Sequence, residues 1–122
     1  MENQKYKDLR TGIKFSGRTY YCALELALEL IGGKWKPMML YHLKNGPKRS
    51  SELQKKLRDI SNKMFTQTAR ALEHDGLIKR EVFPVVPPRV EYSLTPMGES
   101  VIPLIMNMGY WGESVGEYID NE

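Results

Sequence analysis

The spacing of apolar residues along this chain changes at Gly76, and the change limits the folds that the chain can adopt. Before Gly76 apolar residues recur every three or four positions, as on amphipathic helices, and after it they alternate with polar residues, as on half-buried strands. Thr95 and Pro96 then supply an N-cap and a first-turn proline for a final helix. We therefore expect a mainly α chain with a small β-hairpin, consisting of a polar N-terminal arm at 1–20 and one domain at 21–122.

Two short helices are predicted first. Residues 23–31 are rich in helix formers, and Leu24, Leu28 and Ile31 fall on one face, which predicts a short buried helix that ends at Gly32. A second helix follows directly, with a proline tolerated in its first turn. Its predicted core face consists of Trp35, Met38, Met39 and Leu43.

The next two helices are joined by a turn of only a few residues. Ser50 or Ser51 can cap the third helix, and Ser61 can cap the fourth, which is predicted to run to about Asp75 and to stop at Gly76. The fourth helix has an apolar stripe of Phe65, Ala69 and Leu72 and an opposite polar stripe of Asn62, Lys63, Thr66, Gln67 and Arg70. Two capped helices arranged in this way fit a helix-turn-helix.

A hairpin and a long helix complete the predicted architecture. Residues 78–83 and 89–94 alternate in polarity around a proline-rich loop, which predicts two antiparallel strands. The final helix is predicted to run to about Ile119, with a bend at Pro103. Three helices followed by such a hairpin describe a winged helix-turn-helix.

Charge is distributed unevenly along the chain. Residues 34–80 carry twelve basic and four acidic side chains, whereas residues 81–122 carry one basic and seven acidic ones. The net charge of +3 for the whole chain conceals this contrast. Clustered Lys and Arg are what a protein needs to neutralise phosphates, so the basic middle segment indicates a polyanion-binding surface.

The polar stripe of the fourth helix offers side chains that read base edges in the major groove. Asn62 and Gln67 can pair with adenine, Lys63 and Arg70 with guanine or phosphate, and Thr66 with either kind of edge. Cations of the hairpin can reach the neighbouring backbone or minor groove. The full set that we expect to contact double-stranded DNA is Ser50, Ser61, Asn62, Lys63, Thr66, Gln67, Arg70, Lys79 and Arg89.

The last helix carries an apolar stripe that is too long for so small a domain to cover. A twofold dimer, with help from the first helix, would cover it and place two recognition helices about one DNA turn apart. Packing within the chain is the alternative. The predicted homodimer interface is Val101, Leu104, Ile105, Met108, Trp111, Val115 and Ile119.

Other classes of function find little support. Cys22, His42 and His74 are the only soft catalytic candidates, and no phosphate-binding glycine loop is present, so we expect neither an enzyme nor a bound cofactor. These three residues are also too few for a structural zinc site. The longest uncharged stretch, residues 100–112, is too short to cross a bilayer, and the single cysteine suits a cytoplasmic protein. A winged helix that binds protein without specific DNA binding is the alternative function.

Several strings in the chain resemble a known family. They include Ile-Gly-Gly-Lys-Trp at 31–35, Gly-Pro-Lys-Arg at 46–49, Arg-Ala-Leu-Glu-His-Asp-Gly-Leu at 70–77 and Val-Pro-Pro-Arg-Val-Glu-Tyr at 86–92. In order and separation these strings are similar to the HxlR-type bacterial transcriptional regulators, from residue 22 to about residue 112. The resemblance implies a winged-helix DNA-binding dimer of the wider MarR-like group, with Asn62 to Arg70 in the recognition position.

The resemblance also implies a role for Cys22. Several members of the family use a cysteine at this position to sense oxidants or electrophiles such as quinones or aldehydes. In this chain Cys22 stands at the start of the first predicted helix, where unpaired N–H groups and the helix dipole favour an anion. The alternative is that Cys22 is a small hydrophobic side chain packed under the helix.

Overall fold

The computed structural model describes residues 5–119, which fall into two compact units that meet between Gly33 and Lys34. In chain order the elements are β1 (Ile13–Phe15), β2 (Arg18–Tyr20), α1 (Ala23–Ile31), α2 (Trp35–His42), β3 (Lys48–Arg49), α3 (Ser50–Lys56), α4 (Asn62–His74), β4 (Ile78–Phe83), β5 (Arg89–Leu94) and α5 (Pro96–Val115). The second unit contains α2, α3 and α4 followed by the β4–β5 hairpin, which confirms the predicted winged helix-turn-helix. None of the helices in the described range is long and apolar enough to cross a membrane.

The first unit begins with a hairpin that the sequence analysis does not predict. β1 and β2 pair antiparallel, with Ile13 opposite Tyr20. The turn between them uses Ser16 and Gly17, both with positive φ (51° and 79°), which is the geometry of a tight two-residue hairpin. The sequence predicts only a polar arm over residues 1–20, whereas β1 and β2 lie within that segment.

α1 has the predicted bounds but not the predicted burial. Tyr20 at the end of β2 is buried and donates its hydroxyl hydrogen bond to Glu29 of α1. Ile31 is buried, whereas Leu24 and Leu28 remain 54% and 60% exposed. The prediction of a buried helix is thus wrong within a single chain, because a periodic apolar stripe shows that a helix needs a partner without saying which partner.

α2 is central to the second unit, and its buried face differs from the predicted one. Met39, Leu40 and Leu43 are almost fully buried, whereas Trp35 is half-buried and Met38 is 39% exposed. Leu40 is missing from the predicted core face. α2 contacts both α4 and α5, so side chains on more than one of its faces are covered.

α3 and α4 form the predicted helix-turn-helix. Leu53 of α3 and the stripe of Phe65, Ala69 and Leu72 on α4 are buried, as expected for α4. The Ser61 hydroxyl accepts a hydrogen bond from the Met64 N–H at 3.0 Å, which confirms the N-cap of α4. Neither predicted cap of α3 is correct, because Arg49 takes the N-cap position and Ser50 and Ser51 lie inside the helix. The Arg49 backbone N–H donates to a Glu52 carboxylate oxygen at 3.2 Å.

The sheet of the second unit has three strands in the order β3-β5-β4. β4 and β5 pair over their whole length, from Ile78 opposite Leu94 to Phe83 opposite Arg89. β3 adds two pairs on the other side of β5. A strand of two residues has no alternation to detect, which is why the sequence predicts a two-stranded hairpin instead.

A tight junction joins the end of α4, the hairpin and the start of α5. The Thr95 hydroxyl donates to the Gly76 carbonyl at 2.5 Å and accepts from the Gly98 N–H at 3.1 Å, while the Thr95 N–H donates to the Leu77 carbonyl at 3.1 Å. A Cβ at Gly98 would overlap that Leu77 carbonyl oxygen. The lack of a side chain at Gly98 is therefore what allows α5 to pack directly on the turn after α4.

α5 leaves the core over most of its length. Ile105 is buried in its own chain, but beyond it the exposed side chains include Met108, Trp111 and Val115. α5 ends at Val115 with Gly116 at the C-cap, so the prediction that it continues to about Ile119 is wrong. Glycine at a C-cap is a common way to stop a helix.

The junction yields a stability prediction. Replacing Gly98→Ala forces a methyl group against a backbone oxygen, and we expect the free energy of unfolding in urea to fall by about 1–3 kcal/mol. Gly109→Ala is the matched control, because a Cβ there meets nothing within 4 Å and alanine favours a helix by up to about 1 kcal/mol over glycine. Equal stability of Gly98→Ala and the unaltered protein would contradict this account of the junction.

Candidate nucleic-acid interface

The outer face of α4 is polar and exposed along its first two and a half turns. Its exposed side chains include all five members of the predicted polar stripe, namely Asn62, Lys63, Thr66, Gln67 and Arg70. Within residues 5–119 neither Lys63 nor Arg70 forms an ion pair. The stripe therefore presents unneutralised cations and hydrogen-bonding groups to the solvent.

A groove of about 480 Å³ runs beside this face, between α3, α4 and the hairpin. It is lined by Ser50, Gln54, Asn62, Phe65, Thr66, Arg70, Glu73, Arg80 and Tyr92. Phe65 and Tyr92 form the floor, with their rings edge to face and 6.2 Å apart. The structure thus brings together predicted site residues from both helices of the helix-turn-helix.

Arg80 and Gln54 belong to this groove, although the sequence analysis does not select them. Arg80 shares one face of β4 with Ile78 and Val82, and the other face carries Lys79, Glu81 and Phe83. Ile78 is buried, but Val82 is 49% exposed, so the core covers only the start of that face and Arg80 opens into the groove beside Arg70. The basic charge of the 34–80 segment is the sequence signal that could have included Arg80.

One hydrogen bond links the two helices across the groove. The Gln54 amide Nε2 of α3 donates to the Asn62 Oδ1 at the first residue of α4. Gln54 is half-buried and Asn62 is exposed. A polar side chain of the first helix therefore holds a polar side chain of the recognition helix.

The two hairpin residues that are predicted to contact DNA, Lys79 and Arg89, have different surroundings. Lys79 is exposed on β4 and lies opposite Ser93 of β5. Arg89 lies 3.2 Å from a Glu91 carboxylate oxygen, and its guanidinium stacks over the Phe83 ring at 4.3 Å. Lys79 is thus available to a phosphate as it stands, whereas Arg89 is already held by its own hairpin.

A second group of cations surrounds His42 at the end of α2. Burial is the main cause that lowers the pKa of His42, and the nearby charges of Lys44, Lys56 and Lys48 lower it further. Desolvation and the three neighbouring positive charges therefore disfavour the protonated form of His42.

A comparison with protein families decides the class of the molecule. The model described as HxlR-like helix-turn-helix matches residues 30–120, which is most of the chain. This chain belongs to the HxlR-like helix-turn-helix family. The family assignment makes the chain a winged helix-turn-helix DNA-binding transcriptional regulator and confirms the resemblance noted in the sequence.

Relatives of this HxlR-like protein carry compatible names. An uncharacterized HTH-type transcriptional regulator of Methanothermobacter thermautotrophicus is 48% identical over 102 residues, covering 84% of this chain and 78% of the relative. The uncharacterized HTH-type transcriptional regulator YdeP of Bacillus subtilis is 44% identical over 115 residues, covering 93% and 90%. Among solved structures, the redox regulator HypR in its oxidized form has a TM-score of 0.75 and 43% identity, covering 80% of this chain and all of HypR.

The predicted dimer residues of this family member are mostly unburied in the single chain. Ile105 lies in the core, and Val101 is half-buried. The remaining members are exposed by between 48% and 83%, and they are Leu104, Met108, Trp111, Val115 and Ile119. Contiguous exposure of this kind marks an interaction surface in soluble proteins.

Cys22 lies at the N-cap of α1, as the sequence predicts. It is half-buried and its side chain makes no capping hydrogen bond. Across the described range 5–119, no three His, Cys, Asp or Glu side chains are grouped so that they could hold a metal ion.

The state of His42 gives a prediction for stability against pH. The folded chain holds the His42 pKa below its usual value of 6.5, so as pH falls through 6.5 the unfolded chain binds the proton first and the free energy of unfolding decreases. We expect this decrease between pH 7.5 and pH 5.5 to be smaller in His42→Gln. Chemical denaturation at several pH values measures it. The same pH dependence in both proteins would show that His42 titrates equally in the folded and unfolded chains.

Proposed function

We propose that this chain is a cytoplasmic homodimer that binds an inverted-repeat operator in a sequence-specific manner, and that Cys22 adjusts its affinity in response to oxidants or electrophiles. The observation that carries the DNA-binding part is the exposed face of α4, with its hydrogen-bonding side chains and its two cations without ion pairs in the described chain. An α-helix with such a face fits the major groove, where each base pair offers a distinct set of donors and acceptors.

The contacts divide into two kinds. Asn62, Thr66 and Gln67 have neutral side chains that suit base edges, whereas Lys63 and Arg70 suit either guanine or phosphate. The remaining proposed contacts are to the backbone and lie at the edge of the groove and on the hairpin. They are Ser50, Ser61, Lys79 and Arg89.

The same face argues against the alternative of a protein-interaction module. Centres of protein interfaces are enriched in Tyr, Trp, Phe and Met and depleted in Lys. The proposed recognition face of α4 has no aromatic side chain and carries Lys63. Weak binding to every duplex, independent of salt, would favour the protein-interaction module.

The salt dependence of binding to duplex DNA tests the electrostatic part of the proposal. We expect affinity to fall steeply between 50 and 200 mM salt, because bound phosphates release counterions. Lys79→Ala should weaken binding to all sequences alike and reduce the slope of log affinity against log salt by about 2 for the proposed dimer, which is about 1 for each protomer. Lys14→Ala is the matched control, since it removes the same charge from β1 and should leave the slope unchanged. An unchanged slope in Lys79→Ala would show that Lys79 contacts no phosphate.

The proposal that the chain dimerises through α5 is supported by the exposed apolar side chains of this helix. A twofold axis is the commonest way to cover such a stripe, and it presents two recognition helices to successive turns of the duplex. The exposed Leu24 and Leu28 of α1 offer further apolar surface for the same purpose.

Trp111→Glu tests the dimer. Trp111 is 69% exposed in the single chain, so a charge there costs little in the monomer but would be buried in the dimer. We expect light scattering at micromolar concentration to give about twice the chain mass of 14.1 kDa for the unaltered protein and a mass near 14.1 kDa for Trp111→Glu. Val86→Glu, fully exposed on the hairpin loop, should stay dimeric. A mass of 14 kDa for the unaltered protein would refute the dimer.

The response to oxidants is supported by the position of Cys22 and by the relative HypR, which is named a redox regulator. Cys22 is the only cysteine of the chain, so a disulfide must join it to another molecule. With diamide as oxidant, two thiols lose two protons and two electrons to form the disulfide, and diamide is reduced to the hydrazine. Such a link between protomers would alter the relative orientation of the two recognition helices.

Treatment with diamide tests this response. We expect the affinity for operator DNA to change by about tenfold after oxidation, which corresponds to a coupling free energy of about 1.4 kcal/mol. Cys22→Ser should show no change, and a non-reducing gel should show a linked dimer only for the unaltered protein. If oxidation leaves the affinity of the unaltered protein unchanged, Cys22 has only a structural role.

A further inference from the structure

The recognition face of α4 carries two side-chain amides, Asn62 and Gln67. In the described chain, only the Asn62 amide is hydrogen-bonded to another helix, through Gln54 of α3. Gln54 Nε2 donates to Asn62 Oδ1, and both side chains line the groove beside α4. Elsewhere in the described chain neither side-chain amide has another hydrogen-bond partner. Asn62 is the first residue of α4 and is exposed, so this bond is what restricts its side-chain rotation.

The bond leaves Asn62 able to recognise a base. An amide oxygen has two lone pairs and an amide NH₂ has two donors. Gln54 occupies one lone pair, so Asn62 keeps one acceptor position and both N–H groups. Adenine presents the complementary pair in the major groove, an N6 amino donor beside the N7 acceptor. If the oxygen and nitrogen of both side-chain amides are exchanged, Asn62 donates to Gln54 and still keeps one N–H and its oxygen. Asn62 can therefore pair with adenine in either orientation of the two amides.

Gln54 is itself well placed to hold its partner. It follows Leu53, which is fully buried, and its own side chain is half-buried beside the groove. A side chain that is already fixed before DNA arrives loses less conformational entropy on binding. An isolated, exposed asparagine at the same place would lose more.

We propose that Gln54 is a positioning residue for sequence recognition, which orients the Asn62 amide so that it pairs with an adenine in each half-site. The inference rests on the proposed DNA-binding function and adds to it a residue of α3 that reads no base itself. A different role, in which Gln54 only contacts a phosphate, would affect all sequences equally.

Selection of bound duplexes from a random pool separates these roles. The unaltered protein, Asn62→Ala, Gln54→Ala and Gln54→Met are each used for selection, and the enriched sequences are compared position by position. Gln54→Met keeps the approximate size of the side chain but can neither donate a hydrogen bond to the Asn62 amide nor accept a normal one from it. Gln67→Ala is the control on the same face of α4, because Gln67 has no bond to Gln54.

We expect the unaltered protein to enrich adenine at one position of each half-site. Asn62→Ala should lose that adenine, and both Gln54 variants should lose about tenfold in discrimination at the same position, with other positions retained. Gln67→Ala should affect a different position. In the Asn62→Ala background, Gln54→Ala should cause no further loss, since the two residues act as one unit.

Three outcomes would overturn the proposal. Retention of the adenine by both Gln54 variants would show that the bond positions nothing, and equal weakening for all sequences would assign Gln54 to a phosphate. Retention of it by Asn62→Ala would show that Asn62 reads no base. If the unaltered protein enriches no sequence at all, the proposed sequence-specific function fails, and that result is distinct from the other three.

Discussion

The contact of Gly98 with the Leu77 carbonyl, together with the hydrogen bonds of Thr95, fixes the end of α4, the hairpin and the start of α5 relative to one another. It lies where α4 ends, where the hairpin begins and closes, and where α5 starts. Because no side chain separates Gly98 from Leu77, the start of α5 and the turn that directly follows the recognition helix are packed backbone to backbone. In the proposed dimer, a change in the direction of α5 would therefore be passed to α4 with little room for side-chain adjustment.

This junction links the two surfaces on which the proposed function depends. α4 presents its polar face to the groove beside the hairpin, and α5 presents Trp111 and its neighbours on a surface that the single chain leaves uncovered. A modification that alters contacts between protomers has a mechanical route to the DNA-binding face. Such a modification can change the affinity for DNA only if it stabilises one orientation of the two recognition helices more than another. This difference in free energy is the basis of the proposed Cys22 response.

Local chemistry made α4 and the hairpin predictable from sequence. Ser61 and the glycine after α4 define both ends of the helix, and the period-two segments define β4 and β5. What sequence could not give was the partner of each apolar face. Leu24 looks buried by its period but is exposed, and Leu40 is buried because α2 is covered on more than one side. The Ser-Gly turn at 16–17 was a usable hairpin signal, whereas the two residues of β3 carried none.

The candidate site was predictable to a similar extent. Side-chain type identified the polar stripe of α4, and all five members are exposed together. Arg80 was missed because alternation assumes that a whole strand face is covered, and Gln54 because its bond to Asn62 joins two helices across a turn. Arg89 was identified by its charge. Its ion pair with Glu91 is local, since the two residues share one face of β5, and the alternation of that strand was a usable signal for it.

The most direct test of the proposed function is a hydroxyl-radical footprint of the protein on DNA that it enriches from a random pool. We expect two protected patches that are related by a twofold axis and centred about 10 base pairs, or one helical turn, apart. A single patch, or two patches in direct repeat, would contradict it.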